Sequence, residues 1–587
     1  MAANHSPDLN PLHWHEGNLK MHGLMSAPTH DNPTTPFLNA FRAGYLQICN
    51  LFAIGTKDEH GRPWTSLWGG EDGAVGVYDL KTLAIKSLVN RKHDPIVTRI
   101  LQVKPDKGVC GSGVLISGLG IKLATRDRVK VAGTIMGALL EDTEVELVAN
   151  ASVILRVDSS LGNCPKYLNI KEIKPVVPDP VAHPEPLPLP EPALALLEKA
   201  DCFFITAGLS TNYRGGPRGF IRVLSNKPDT VQLVYPEYSG NRLYQTLGNL
   251  FVEPFAGIIV PDFETGDALY ATCEARILAG PEAAALMPRT NLVVVLTIKA
   301  AQFVQRSLSF RAIEGDPSPY NPPLRPLAKE AKADVLLGIP LTTAELVERV
   351  MLADDIACLR FKTDKPVAYK TGQHVALNFE HDLGMGYSHM RDDDPTSLND
   401  DLNRSFTITS PPPASGQDNY FELVLRNVGK VTKHLVKYNI RGGISCSVLG
   451  FGGSFAMDPA GKMVGFLAGG VGITPLLCQI NTLDSEALHI IWTVNQKDIV
   501  FVSNLLKRWN LKQVRLYVSG MILDEQEEIL SQLKTKGHHV ERRRLVRDDL
   551  NNLEKISKWY VCAGPALLKS ANEWLEGKEV ISESFNF

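Results

Sequence analysis

Two short stretches of this chain combine residue types that could grip a phosphorylated, ring-bearing ligand. Arg404-Ser405-Phe406-Thr407, continued by Ile408-Thr409-Ser410-Pro411, offers a guanidinium, an aromatic face and several hydroxyls within one strand-like run. A guanidinium suits phosphate, a ring face suits a flat heterocycle, and hydroxyls hydrogen-bond ring nitrogens. Gly469-Gly470-Val471-Gly472-Ile473-Thr474-Pro475 follows the apolar run VGFLA and precedes a helix-like LLCQINTL. Glycines in such a strand-to-helix turn let backbone N–H groups approach a pyrophosphate. Each stretch also has a plain reading, an ordinary strand with an exposed arginine and a tight turn. The glycine turn has Pro475 where the dinucleotide fingerprint G-x-G-x-x-G has its third glycine.

Other chemistry-bearing residues are sparser. Nine cysteines stand scattered in mostly apolar contexts, with no C-x-x-C pair and no C-x4-C-x2-C run. That pattern fits reduced core thiols and disfavours zinc ribbons and plant-type [2Fe-2S] sites. His13 and His15 form an H-x-H pair without further ligands nearby in sequence, so no metal site is expected. Arg542-Arg543-Arg544 reads as a solvated edge, with a nucleotide 2'-phosphate as the minor alternative.

The elements that position these residues must be several, because 587 residues exceed one domain about fourfold at ~150 residues each. With 44% hydrophobic and 21% charged residues and a net charge of -3, the composition is that of globular protein with no field for nucleic acid. No apolar run approaches the ~20 residues of a membrane span, and Met1 to Gly17 lacks a signal-peptide core. A cytosolic location is the expectation.

Residues 175–192 hold eight prolines and read as an extended spacer. A weaker proline cluster at 315–326 marks a second boundary, followed by a helix-like stretch from Thr343 to Val350. The segments on either side of the first spacer echo each other: Phe52-Ala-Ile-Gly-Thr sets on Phe203-Phe-Ile-Thr-Ala, and Thr125-Arg-Asp-Arg-Val on Thr265-Gly-Asp-Ala-Leu. Both are rich in short β-type runs broken by Gly, Asn and Asp, as a closed or half-closed antiparallel barrel requires. Beyond about 340 come further β runs, and after Lys462 strand and helix alternate, which predicts a parallel sheet with crossover helices.

In this order and setting, residues 340–587 resemble the ferredoxin-NADP reductase-like family. The resemblance implies FAD, with Arg404 on its pyrophosphate, Phe406 on the flavin and Thr407 facing flavin N5, with Ser405 between them. Phe406 stands where Tyr is commoner. Gly429-Lys430-Val431-Thr432 resembles the second phosphate-contacting turn, through Gly429, Val431 and Thr432. Gly469, Gly470, Gly472, Thr474 and Pro475 resemble the nicotinamide-nucleotide turn. Cys562-Ala563-Gly564-Pro565 resembles a C-G-P motif that sets a thiol near nicotinamide C4 beside Gly564 and Pro565; the extra Ala563 shifts that thiol, and a buried core cysteine is the alternative. Glu583-Ser584-Phe585 resembles a terminal E-x-F segment whose aromatic shields the flavin, the alternative being an edge strand with a buried Phe585.

The upstream lobes, over about 12–314, resemble FMN-binding split barrels related to pyridoxamine 5'-phosphate oxidase. In the second lobe the resemblance places Arg222, Tyr238, Asn241, Arg242 and Thr246 on FMN, with Asn249 nearby. The first lobe offers only Arg99 in the corresponding place, so at most one FMN per chain is expected, or an empty scaffold pair.

The whole reads as a multidomain chain: an N-terminal extension (1–36), split-barrel lobe 1 (37–174), the proline-rich spacer (175–192), split-barrel lobe 2 (193–314), a linker (315–340), an antiparallel FAD β-barrel (341–460) and an α/β parallel-sheet NAD(P) domain (461–587). The function expected is an NAD(P)H-dependent flavoprotein oxidoreductase delivering electrons to FMN, a small organic acceptor or O2. An FAD-dependent monooxygenase and a flavin- or haem-binding carrier with a reductase attached are the alternatives. Met521 and Ile522, where an arginine would grip a 2'-phosphate, favour NADH over NADPH. A monomer or a homodimer is expected.

Overall fold

The computed structural model describes residues 13–28, 31–103, 110–162, 164–330, 341–413, 418–458, 463–551, 553 and 555–584. Its contacts divide the chain into two units, Met1–Ala331 with Tyr387–Asp400, and Lys332–Gly386 with Asp401–Phe587. Among the described residues no helix is long and apolar enough to cross a membrane. All nine cysteines are free, and all but Cys110 and Cys164 are buried.

The first unit is a duplication. Its first half holds β1 (Leu51–Lys57), β2 (Pro63–Gly69), β3 (Val75–Asp79), β4 (Thr82–Asn90), β5 (Leu115–Lys122), β6 (Asp127–Asp142) and β7 (Val148–Gly162). The connecting stretch carries β8 (Lys171–Pro175) and β9 (Val181–Ala182). The second half holds β10 (Cys202–Ala207), β11 (Ser210–Gly215), β12 (Arg222–Lys227), β13 (Thr230–Pro236), β14 (Phe255–Pro261), β15 (Ala268–Ala279) and β16 (Leu292–Gln305), and β17 (Phe310–Glu314) follows. The antiparallel order is β2-β1-β5-β6-β7-β4-β3 in one half and β11-β10-β14-β15-β16-β13-β12 in the other, the same order strand for strand.

The correspondence extends to single residues. Phe52 and Phe203 are each the second residue of the opening strand. A register shift falls between Ala132 and Gly133 in β6 and between Thr272 and Cys273 in β15, so the bulge that bends each long strand is repeated. The hairpin before each long strand turns through a left-handed residue, Arg126 (φ 63°) in one half and Gly266 (φ 78°) in the other.

The halves meet at a seam lined with hydroxyls. Thr65 Oγ1 lies 2.7 Å from the Gly257 carbonyl, and Thr211 Oγ1 lies 3.2 Å from the Ser117 carbonyl, its twofold counterpart. A Cβ on Gly55 would lie 2.0 Å from Oγ1 of Thr206, the corresponding residue in β10. Two equivalent positions therefore face each other across the axis, with room for one side chain. Around this polar strip the apolar core of the first half continues into Phe204, Ile259 and Tyr270 of the second.

The proline-rich stretch is extended, yet stitched down rather than free. Prolines lack N–H donors, and the N–H groups between them reach back: Val176 to Ser309, Asp179 to Arg306 and His183 to Phe303, at 2.9, 3.1 and 2.9 Å. Asn226 then brackets Leu189 through both its backbone N–H and carbonyl.

The second unit opens on an antiparallel sheet of β18 (Thr342–Ala353), β19 (Ile356–Thr363), β20 (His374–Asn378), β21 (Asn403–Thr407), β22 (Tyr420–Arg426) and β23 (Ser445–Gly452), in the order β21-β20-β23-β18-β19-β22. Its outer strands meet through an Ile408–Leu423 bridge and a 2.8 Å bond from the Thr409 N–H to the Glu422 carbonyl, which closes the sheet into a barrel. Residues 343–350 belong to β18, not to a helix. Thr342, Ala344 and Leu346 are buried while Thr343, Glu345 and Val347 are exposed, a period of two imposed by pairing with β19 and β23. Tertiary pairing here overrides the helix-forming Glu and Leu.

A six-stranded parallel sheet follows: β24 (Val464–Gly469), β25 (Leu488–Asn495), β26 (Arg515–Ser519), β27 (His539–Glu541), β28 (Lys558–Ala563) and β29 (Glu579–Ser584), in the order β27-β26-β25-β24-β28-β29. The alternating helices are present as Ile499–Arg508, Asp524–Thr535 and Pro565–Trp574. The helix expected over LLCQINTL is shorter, Thr474–Leu477 alone. Gln479 ends it: its amide Nε2 takes the Pro475 carbonyl at 2.7 Å, while its own backbone N–H bonds Leu476 instead.

Candidate functional site

The sequence motifs of the second unit fall on three neighbouring structural features. The first is β21, which lies against β20 with Thr407 opposite His374 and Phe406 opposite Val375. Ser405 is exposed, Arg404 and Phe406 are half-buried, and Thr407 is buried. Arg404 Nη1 donates to the Asn403 carbonyl at 2.9 Å, turning the guanidinium back along its own strand. Beyond the motif, Thr409 Oγ1 is buried and has no hydrogen-bond partner among the described residues. A buried hydroxyl in that state is costly unless a further group reaches it.

The second feature is the amino end of the helix Lys430–Lys437, capped by Gly429. Thr432 Oγ1 accepts from the N–H groups of Val428 and Gly429, both at 2.9 Å, and lies 3.1 Å from the Gly429 carbonyl. The Thr432 hydroxyl is thus spent on shaping the turn. Val431 is buried and joins the barrel core against which Phe406 also packs. A ligand at this turn would meet backbone N–H groups rather than the threonine side chain.

The third feature joins two motifs far apart in sequence. β24 and β28 are parallel neighbours, and the turns leaving their carboxyl ends are Gly469–Pro475 and Gly564-Pro565. The sheet's connections reverse direction here, which makes this the switch point where open α/β sheets bind ligands. A Cβ on Gly472 would lie 2.0 Å from the Cys562 carbonyl, and one on Gly469 3.1 Å from Ala563 Cβ, so these two glycines serve the close approach of the turn to β28. Thr474 and Pro475 are buried beneath it. Trp492 Nε1 donates to the Gly470 carbonyl at 2.8 Å and fixes the turn. By contrast, a Cβ on Gly429, Gly470 or Gly564 would meet nothing within 4 Å. These three turns present open backbone, which suits the approach of phosphate groups.

Cys562 does not stand at this open edge. Its side chain is fully buried in the core with Phe466 and Tyr560, and burial, aided by Glu583 alongside, drives the thiol well above its ordinary pKa. A thiol held protonated in a core is a packing residue. Ala563, not a cysteine, precedes Gly564-Pro565. Phe585 lies outside the described residues. Arg542 pairs with Glu527, and Arg543 pairs with Asp549 at 2.6 Å over the Tyr517 ring.

A cavity of about 710 Å3 lies in the second unit, lined by Glu348, Arg360, Tyr369, Ser410, Pro411 and Glu422 among others. It borders the continuation of the motif at Ser410 but does not include residues 404–407.

The residues expected to hold FMN each have partners within the first unit. Arg222 is ion-paired to Glu330 at 3.0 Å and donates to the Gly219 carbonyl. Arg242, in a left-handed turn, stacks its guanidinium 3.6 Å from the ring of Tyr387, within the 387–400 segment that packs with the first unit. Tyr238 is wedged between Tyr167 and Phe220. Asn241 caps its own turn at the Leu243 N–H, and Thr246 is buried facing Asn212. Asn249 donates to the Ala207 carbonyl at 2.6 Å. Their partners, Glu330 and Tyr387, come from distant segments, and no local pattern announces them. His15 accepts the Gly17 N–H as a helix cap.

What sequence reasoning missed is a lysine. Lys130 on β6 is 6% exposed and lines a cavity of about 370 Å3 between the two halves of the first unit. Its signal was weak: a charged residue in an otherwise apolar strand run, VKVAGTI.

By sequence, no protein-family profile and no curated protein matches this chain. By structure, the chain is similar to the flavohem-like FAD/NAD-binding domain of nitric oxide dioxygenase from Vibrio cholerae O1 biovar El Tor, at 13% identity over 42% of this chain and 99% of that one, TM-score 0.30. It is similar to the ferredoxin reductase in carbazole 1,9a-dioxygenase, at 14% identity over 48% of this chain and 77% of that one, TM-score 0.32. It is also similar to a ferredoxin NADP+ reductase from Neisseria gonorrhoeae with bound FAD and NADP, at 12% identity over 42% of this chain and 99% of that one, TM-score 0.27.

Proposed function

We propose that the second unit is an NAD(P)H-dependent FAD oxidoreductase. The observation that carries this reading is the gathering, in one compact unit, of the RSFT strand on a closed antiparallel barrel with two open glycine turns at the switch point of a parallel sheet. FAD, when bound, would supply a two-electron acceptor for the hydride of a nicotinamide. Arg404 would hold its pyrophosphate by charge-assisted hydrogen bonds, helped by backbone N–H groups after Gly429. Phe406 would lie on the ring system and Thr407 would orient its polar edge. The open backbone at Gly470 and Gly564 would take the nicotinamide nucleotide. NADH is the expected donor, because Met521 at the end of β26 is 81% exposed and apolar, while Arg542 and Arg543 are engaged by carboxylates. The onward acceptor is a small molecule or O2. The first unit, on its repeated strand order, is read as a pair of split-barrel lobes.

The test is direct. The purified full chain should release FAD on denaturation, and anaerobic NADH should bleach its visible flavin absorbance. Arg404→Ala should weaken FAD binding by roughly tenfold or more, the loss of a charge-assisted contact of ~1.5–3 kcal/mol. A chain that holds no FAD even when supplied with it, and oxidises neither NADH nor NADPH, would overturn the assignment.

A further inference from the structure

Among the described residues, three lysines are buried in the first unit, and their surroundings differ. Lys171 meets carboxylates, Asp201 at 2.8 Å and Glu314 at 3.3 Å, and these raise its pKa despite burial. Lys166 donates to the carbonyls of Ser239 and His389 and lines none of the cavities described above. Lys130 has neutral partners and opens onto a cavity.

Lys130 Nζ donates to Ser210 Oγ and to Gln245 Oε1, both at 2.7 Å. The Gln245 carboxamide is held in the accepting orientation because its Nε2 donates to Thr34 Oγ1 at 3.1 Å. Two acceptors account for the two N–H bonds of a neutral amine, which leaves its lone pair on the remaining tetrahedral position. The charges that reach the amine are both positive, Arg128 on its own strand and Arg214 on β11. Neither guanidinium is spare: Arg128 donates to the Cys164 carbonyl and lies over the Tyr213 ring, and Arg214 is ion-paired to Glu237 at 2.6 Å. They repel an ammonium at Lys130. At the rim, Glu253 is neutralised by Lys57 at 2.7 Å, and His15 caps its helix.

We propose that Lys130 is the nucleophilic amine of a carbonyl-binding site at the seam of the two halves, condensing with the aldehyde or ketone group of a small ligand. The Nζ lone pair attacks the carbonyl carbon, a C–N bond forms, and the carbonyl π pair passes to oxygen, which takes a proton. The resulting carbinolamine expels that oxygen as water while nitrogen gives up a proton, leaving an imine with no net oxidation or reduction. Ser210 Oγ sits within hydrogen-bonding distance of the nitrogen and is placed to carry a proton between it and the departing oxygen. Burial, with Arg214 and Arg128 adding to it, lowers the amine to about 7, so it is substantially unprotonated where exposed lysines are not. The cavity volume of about 370 Å3 admits a small metabolite-sized molecule and excludes a polymer.

The experiment uses the full chain, with butanal as the probe and cyanoborohydride present to deliver hydride to any imine carbon and fix it as a secondary amine. Peptide mass spectrometry then reads each lysine. At neutral pH, Lys130 should carry at least tenfold more butyl label than Lys166, Lys171 and the exposed Lys20, with half-maximal labelling near pH 7. Labelling of Lys130 that is no greater than that of Lys20, or that rises only above pH 9, would overturn the proposal. In Lys130→Arg, which keeps a donor at the site, fast labelling of lysine side chains should vanish; if it persists on another lysine, that lysine is the nucleophile and the proposal fails. The assay reads label on the first unit, so its outcome is independent of whether the second unit holds FAD.

Discussion

The two halves of the first unit share a strand order, a bulge and a turn, yet at one equivalent pair of positions they do opposite things. Lys130 pairs with Leu119 in β5, and Tyr270 pairs with Ile259 in β14, so the two are counterparts. Tyr270 is fully buried and fills the core of the opposite half, its hydroxyl 3.1 Å from Ser307. Around it lie Trp68 and Ser66, which donate to a buried Asp94 at 2.8 and 2.5 Å. Lys130 instead borders open space. Backbone geometry was retained by the duplication, while side chains diverged until one seam became packing and the other a cavity. A repeated fold therefore does not imply a repeated site.

Substitutions at the seam test this contrast. The largest effect belongs to the packed side: Tyr270→Ala should destabilise the first unit by about 3–5 kcal/mol, as a large aromatic truncation in a tight core does. Chemical denaturation would measure it, and a loss under 1 kcal/mol would mean the two seams are equally loose.

Comparable in size is the pH dependence of the open side. The folded Lys130 amine sits near 7 against an ordinary 10.5, so between these values the unfolded chain binds a proton that the folded chain does not. The lysine's destabilising effect is therefore absent above about pH 10.5, accumulates as pH falls toward 7 and is constant below. Relative to Lys130→Met, the wild-type chain should lose roughly 5 kcal/mol across that window. Parallel pH profiles for the two proteins would contradict the neutral-amine state.

The smallest effect is on the axis. Gly55→Ala should cost about 1–2 kcal/mol, because its methyl would enter the space of Thr206. Moving the side chain across the axis, as Gly55→Ala with Thr206→Gly, should recover part of the summed single losses, and strict additivity would count against shared space.

Much of the second unit was legible in the sequence because its motifs are contiguous. RSFT and GGVGITP each sit within a few residues of a strand end, so local order alone places the guanidinium, ring and glycine backbone. Strand–helix alternation predicts a parallel sheet whose carboxyl ends share one edge, but only the strand order sets CAGP beside GGVGITP. The strand at 342–353 was not legible, because its neighbours β19 and β23 enforce a pattern that the Glu- and Leu-containing run shares with a helix. The fate of Arg222 and Arg242 was equally hidden, since an arginine that could hold phosphate has the same letter as one held by Glu330 or stacked on Tyr387.

The sequence by itself determined the duplication, the change from antiparallel to parallel texture and the glycine turns where backbone must come close to a neighbouring strand. These rest on local periodicity and on glycine, whose consequences are felt within a few residues. Tertiary structure alone decided which ionisable groups are spent and which are available. Cys562 became core, the arginines of the second half found carboxylate or ring partners, and Lys130 was set between Ser210 and Gln245 beside a cavity. The physical reason is that burial and pairing, which set the protonation and reach of a charged side chain, depend on residues a hundred or more positions away.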